Sequence, residues 1–167
     1  DPNNAYFDDV GASVVDGEKY THTEPMLSTS KTWNVEQLQG FVDRVQKEAK
    51  EIGVKTVQFK VTPKLDGMAG KYKNGVLATR GNGRVGNVVT HVFDLGVVPI
   101  GGKKDGVGEI VMSQSYFDQY LDDEFAHPRN VVVGAVNADT IRSVISKTLK
   151  AGKIHFVRYA TLPTWTG

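Results

Sequence analysis

No hydrophobic period is sustained over the first 34 residues, where Asp, Gly, Asn and Ser are frequent at 1–4 and 8–19 and favour turns. A helical period then sets in, with Leu38, Phe41, Val42, Val45 and Ala49 falling on one face. Asn34 stands three residues ahead of Gln37, as in a capping box, and Gly53 supplies a stop. One amphipathic helix is predicted over 35–52, with Lys47, Glu48, Lys50 and Glu51 on its solvated side. A period of two follows. Val57, Phe59 and Val61 alternate with Gln58 and Lys60, which predicts a strand at 57–61. Residues 68–73 and 76–80 flank Asn74-Gly75, a strong hairpin signal, and Asn82-Gly83 comes almost at once. Residues 107–112 read as another strand.

A second helix is predicted to start near Ser113 and run through Tyr116, Phe117, Tyr120 and Leu121. Residues 125–130 read as an extended turn into the apolar run Val131-Val132-Val133-Gly134. A third helix is predicted over 138–149, with Ile141, Val144, Ile145 and Leu149 on one face and Gly152 after it. A last strand is predicted at 154–159. Met26, Met68 and Met112 lie in apolar runs and read as core. The mixture of hairpins and separated helices points to an α+β chain rather than a regular βαβ winding.

Composition narrows the class. The 167 residues fit one domain with a sizeable core, and 40% apolar against 23% charged residues fits a globular chain. Twenty basic and nineteen acidic residues give a formal net charge of +1, so any nucleic-acid contact would rest on a local basic patch. Zero cysteines exclude a disulfide scaffold, a thiolate metal site and a cysteine nucleophile, and fit a reducing compartment. No apolar run approaches the ~20 residues that span a bilayer, and no membrane partner is expected. The chain starts at Asp1 without a visible signal peptide, as expected of a trimmed, processed or excised sequence.

Four segments carry candidate chemistry. Lys64-Leu65-Asp66-Gly67 follows Pro63. A lysine is a nucleophile only once its amine loses a proton, a neighbouring carboxylate can orient it, and a glycine leaves room for a ligand. Taken alone, these four residues also fit a turn with a surface lysine. Arg80-Gly81-Asn82-Gly83-Arg84-Val85-Gly86 contains a literal G-x-G-x-x-G, with Asp105 about 20 residues on. A dinucleotide loop should open a helix, whereas Val88, Val89, Thr90, Val92 and Phe93 are mainly β-branched or aromatic. A hairpin turn with basic flanks is the better reading, and it would bring Arg80 and Arg84 near phosphates. Glu109 interrupts an apolar strand, either facing solvent or holding a ribose hydroxyl or a metal ion. Arg129, in Phe125-Ala126-His127-Pro128-Arg129-Asn130, is a loop arginine or an anion clamp. His22, His91, His127 and His155 lack metal-ligand spacing and read as local hydrogen-bonding residues.

The order of these segments resembles the adenylation (nucleotidyltransferase) domain of bacterial-type NAD-dependent DNA ligases. His22-Thr23-Glu24-Pro25-Met26-Leu27-Ser28 is similar to the family's stretch ahead of its first helix, and Lys64-Leu65-Asp66-Gly67 to its nucleophile motif. Asn74-Gly75-Val76-Leu77 and Thr79 to Thr90 follow its hairpin and basic turn. Gly108-Glu109-Ile110-Val111-Met112 resembles its acidic strand, and residues 125–130 its phenylalanine-alanine-asparagine-proline-arginine-asparagine signature. The likeness covers roughly 19–159.

The resemblance implies an α+β fold of the DNA-ligase/mRNA-capping nucleotidyltransferase type, first part only, with antiparallel sheets and flanking helices. It implies an irregular segment at 1–18 and a partial adenylation domain at 19–167. Lys64 would attack the α-phosphate of NAD, and the resulting lysyl-AMP would activate the 5′-phosphate of a DNA nick for the 3′-hydroxyl. Asp66 would position the lysine or assist its proton transfer, and Glu109 would contact the ribose. Ser28 and Thr29 would lie near the adenine, Tyr159 would pack on the base, and Arg80 and Arg129 would steady phosphates. NAD and Mg2+ are the implied cofactors, with no protein metal ligand assigned, and nicked DNA is the implied partner. Departures from the family pattern are Thr62 for a glutamate, Asn82 for an aspartate, Asn87-Val88 for an acidic pair and Asn137 for an arginine. The family's two later motifs are not present, so a partner chain carrying them, or a larger assembly, is expected. The alternative is an inactive ligase-fold module kept for binding or structural assembly, for example in a phage. The expected location is the cytoplasm of a bacterial or phage-infected cell, or a virion for a structural role.

Overall fold

The computed structural model describes residues 17–138 and 140–162. Most of the segment expected to be irregular, residues 1–16, lies outside them. The described residues divide into two compact units, the larger formed within 17–26 and 63–162, the smaller by 27–62.

Helix α1 (Val35–Glu51) is the main element of the smaller unit, and its start follows from the cap read in the sequence. The Asn34 side chain accepts from the Gln37 N–H at 2.9 Å, and the Gln37 amide oxygen accepts from the Trp33 N–H at 2.7 Å. One otherwise unmatched donor of the first turn, Gln37 N–H, and the amide just ahead of the cap are thereby satisfied. Gly53 takes a φ of 79°, the left-handed stop a glycine permits. The strand expected at 57–61 does not form. Residues 53–67 carry no regular structure, although the Phe41 and Phe59 rings meet edge to face at 6.2 Å. Alternation prepares a segment for a sheet, but a strand needs a neighbour to pair with.

The larger unit is built on a five-stranded sheet in the order β3-β2-β6-β7-β5. Its strands are β2 (Met68–Lys73), β3 (Val76–Thr79), β5 (Val98–Pro99), β6 (Gly106–Met112) and β7 (Ile154–Arg158). All pairings are antiparallel except β5 with β7. The β2–β3 hairpin turns on Asn74 and Gly75, with φ of 50° and 85°, as a type I′ turn demands. Short strands β1 (Lys19–Thr21) and β4 (Val85–Asn87) form a separate antiparallel pair.

One face of the sheet carries the core. Leu77, Ile110, Ile154 and Phe156 meet Phe117 and Leu121, from and after α3 (Gln114–Tyr120). Val131, Val132, Ala135 and Val136 of α4 (Pro128–Asn137) and Ile145 and Leu149 of α5 (Ser143–Lys150) complete it. A four-residue helix, α2 (Val92–Leu95), packs Val92 into the same cluster. Burial of each such aliphatic side chain stabilises the fold by roughly 1.5–3 kcal/mol.

Two expectations are corrected here. Residues 128–137 form a helix rather than the continuation of an extended turn, because Pro128 sits at the first helical position and His127 caps it. The helix expected over 138–149 begins only at Ser143, after extended residue Ala138. Of the methionines read as core, Met26 and Met112 are buried and Met68 packs against the core.

Candidate active site

The segment that carries Lys64 is forced against strand β6 by one glycine. A Cβ on Gly67 would stand 2.0 Å from the Ile110 carbonyl oxygen, closer than any side chain tolerates. Glycine therefore lets the chain at residue 67 come close to β6 at Ile110 and Val111. There Lys64, Leu65, Asp66, Val111, Met112, Gln114, His127 and Pro128 line a cavity of about 260 Å³.

The Asp66 carboxylate is held from α4. Arg129 donates from its guanidinium to Asp66 Oδ1, and His127 Nε2 lies 3.6 Å from Oδ2. These side chains are about half exposed, Asp66 at 51%, His127 at 50% and Arg129 at 53%, so the ion pair orients more than it stabilises. In this structure the Arg129 guanidinium is therefore paired with Asp66. The helix start that delivers it is set locally, since His127 Nδ1 accepts from the Arg129 backbone N–H at 3.2 Å.

Glu109 lies on the sheet face opposite the core. Its neighbours across the ladder are Ala69 and Val157, and it is 8% exposed. Of the two alternatives read from the sequence, the solvent-facing one does not hold: Glu109 is a buried carboxylate with a partner, the Tyr159 hydroxyl, which donates to Oε2. Burial raises the Tyr159 phenol well above its ordinary value, the hydrogen bond to Glu109 and the Glu109 charge raise it further, and the Arg80 charge opposes them. Tyr159 stands at the start of a 3-10 turn just after β7, not inside the strand expected to reach it. Glu109 and Val111 are two residues apart on β6 and share its face, a spacing of roughly 7 Å. Since Val111 lines the Lys64 cavity, the Glu109–Tyr159 pair and that cavity occupy one sheet surface.

Lys71 shares the same face, two residues along β2 from Ala69; its side chain is 12% exposed and lies 4.0 Å from the Glu24 carboxylate. It was not singled out in the sequence, nor was Gln114. The signal available for Lys71 was its position, in phase with Ala69 on a strand whose other face is core.

The basic turn has the geometry of a turn and not of a dinucleotide loop. Gly81 and Gly83 take φ of 57° and 93°, and the chain then enters β4 instead of a helix. Asn82 Oδ1 accepts from the N–H groups of Arg84 and Val85, at 3.0 and 2.8 Å. Arg80 is tied to β2 by its backbone N–H, which donates to the Ala69 carbonyl at 2.8 Å. His22 supports the turn from the other side: its Nε2 meets the Thr79 carbonyl oxygen at 3.0 Å and its backbone N–H donates to the Arg84 carbonyl. His155 likewise bonds locally, to the Gly152 carbonyl. Ser28 and Thr29, expected near the adenine, are exposed and belong to the smaller unit, whereas Lys64 belongs to the larger.

Comparison with known proteins meets this geometry from a different direction. A sequence model of the NAD-dependent DNA ligase adenylation domain matches residues 16–163. The chain is 46% identical to a DNA ligase of Desulfatibacillum aliphaticivorans over 99% of its own length and 26% of the relative's. It is 36% identical to a DNA ligase of Psychromonas ingrahamii and 31% identical to one of Shewanella baltica, again over 99% of this chain and 26% of each relative. It therefore spans about a quarter of the length of these relatives. A match that covers the cavity, the buried acid and the basic turn in one uninterrupted stretch places the chain in the family of NAD-dependent DNA ligase adenylation domains.

Proposed function

We propose that this chain carries the lysine-adenylating part of an NAD-dependent DNA ligase, on the first part of a nucleotidyltransferase fold. The observation that carries the reading is the Lys64 cavity, with Asp66 held by Arg129 at its wall and Glu109–Tyr159 on the same sheet face. In this reading the Lys64 amine, having lost a proton, attacks the α-phosphorus of NAD. A P–N bond forms, the P–O bond to nicotinamide mononucleotide breaks, and AMP stays on the lysine. A 5′-phosphate at a DNA nick then takes the AMP, and the 3′-hydroxyl displaces it as the strand is sealed.

The side chains divide this work by position. Asp66 orients the lysine and receives help from Arg129, which exchanges the carboxylate for a substrate phosphate when one enters. Glu109 accepts hydrogen bonds, which suits a ribose hydroxyl, and the Tyr159 ring offers a face to the base. Arg80, on the basic turn, contributes positive charge toward the same surface. Among the described residues no three acidic or histidine side chains come together, and Asp66 and Glu109 are each engaged. Magnesium enters this reading only as a counter-ion of the substrate's phosphates, and no step is routed through it.

Intact-protein mass spectrometry tests the proposal. The protein, in the longest natural form that contains this chain, is incubated with NAD and magnesium. A gain of one AMP that disappears in Lys64→Ala is expected. No gain in that complete form overturns the reading and leaves a ligase-fold module retained for binding or assembly.

A further inference from the structure

One imidazole touches both sides of the Asp66–Arg129 clamp. His127 Nδ1 accepts the Arg129 backbone N–H at 3.2 Å and so caps α4. A ring nitrogen that accepts carries no proton, so the neutral ring bears its hydrogen on Nε2. Nε2 faces Asp66 Oδ2 at 3.6 Å, while Asp66 Oδ1 accepts from the Arg129 guanidinium. The loop is closed: His127 holds the Arg129 backbone, the Arg129 side chain holds Asp66, and Asp66 faces His127 again.

We propose that His127 is a positioning residue whose neutral, Nε2-protonated ring couples the first turn of α4 to the carboxylate beside Lys64, and that protonation of the ring breaks this coupling. The inference rests on the reading of Lys64 and Asp66 given above and assigns a regulation to the same site. A second proton must go to Nδ1, where it confronts the Arg129 N–H instead of accepting from it. The cap is lost as the attraction between Nε2 and Asp66 grows. The carboxylate then turns from the guanidinium toward the imidazolium, and the geometry beside Lys64 changes. Of the charged and titratable groups around this ring, Asp66 lies against it and is paired with Arg129 of its own helix, and Lys64 lines the same cavity from the segment before β2, while α3 contributes the neutral Gln114 to that lining.

The test compares wild type with His127→Asn and His127→Ala, isotope-labelled, over a pH series in which the fold is retained. Asparagine caps a helix and offers an amide N–H, but does not titrate. The amide-exchange protection of Arg129, corrected for the intrinsic pH dependence of exchange, is expected to fall about fivefold in wild type as the ring protonates, the equivalent of one lost cap. It should persist at every pH in His127→Asn and be lost at every pH in His127→Ala. Ring nitrogen shifts should show the Nε2–H tautomer. An Arg129 amide insensitive to pH in the folded wild type, or an Nδ1–H tautomer, overturns the proposal. Lysine adenylation measured on the same samples should fall more steeply toward acid in wild type than in His127→Asn. Absence of adenylation beside a responsive Arg129 amide would refute the ligase reading and not the coupling. Normal adenylation beside a silent amide would refute the coupling and not the reading.

Discussion

At the scale of single residues, the site is a set of polar groups whose partners come from distant parts of the chain. Glu109 and Tyr159 show what this does to acidity. The phenol is raised by burial and by its bond to a carboxylate, so the folded state holds its proton more tightly than the unfolded state does. The sign of the stability effect follows. Below the ordinary tyrosine value of about 10 both states are protonated and the contribution is fully present. As pH rises through that value the unfolded chain releases its proton first, and stability is expected to decline from there upward. Glu109→Gln removes the carboxylate charge, so the Tyr159 titration, followed by ultraviolet absorbance, should move down toward ordinary tyrosine. A midpoint that stays where it was would show that burial alone accounts for the shift.

At the scale of elements, the decisive contact is the approach of residues 64–67 to β6. Gly67 permits it, since a Cβ there would stand 2.0 Å from the Ile110 carbonyl oxygen. Gly67→Ala should therefore push this segment away, at a cost of about 1–3 kcal/mol as in other overpacked sites. Chemical denaturation measures that loss, and mass spectrometry should show adenylation falling by more than the unfolded fraction explains. The elements also show where sequence reading works. Asn34 with Gln37, and Asn74 with Gly75, each act on neighbours within four residues, so α1 and the β2–β3 hairpin were legible. The run Val131-Val132-Val133 was harder, because β-branched residues favour strands while Pro128 and the His127 cap start a helix. Burial of Val131 and Val132 against the sheet decides in favour of the helix.

At the scale of the whole molecule, stability is concentrated in the larger unit. Its central strand β6 lies between β2 and β7, and Ile110 is fully buried. The segment after Val54, by contrast, has no regular structure until Met68. Native-state hydrogen exchange should find the slowest amides in β6 and its neighbours and the fastest in residues 55–62. Slow exchange throughout 55–62 would mean that the strand expected there from alternation does form in solution.

Local signals in the sequence were enough for the α+β class, the first helix and the central hairpin, whereas Lys64, Asp66, Glu109 and Arg129 drew attention only through the order of their segments, which resembles the ligase family. Caps, turns and periodicity depend on spacings of two to four residues, and spacing is what a sequence displays. Partnership is different. That Arg129 closes on Asp66, 63 positions away, and Tyr159 on Glu109, 50 positions away, is decided by the order of strands and the angle at which α4 leaves its cap. The same holds for the missing strand at 57–61, whose pattern was suitable but which meets no neighbouring strand among the described residues.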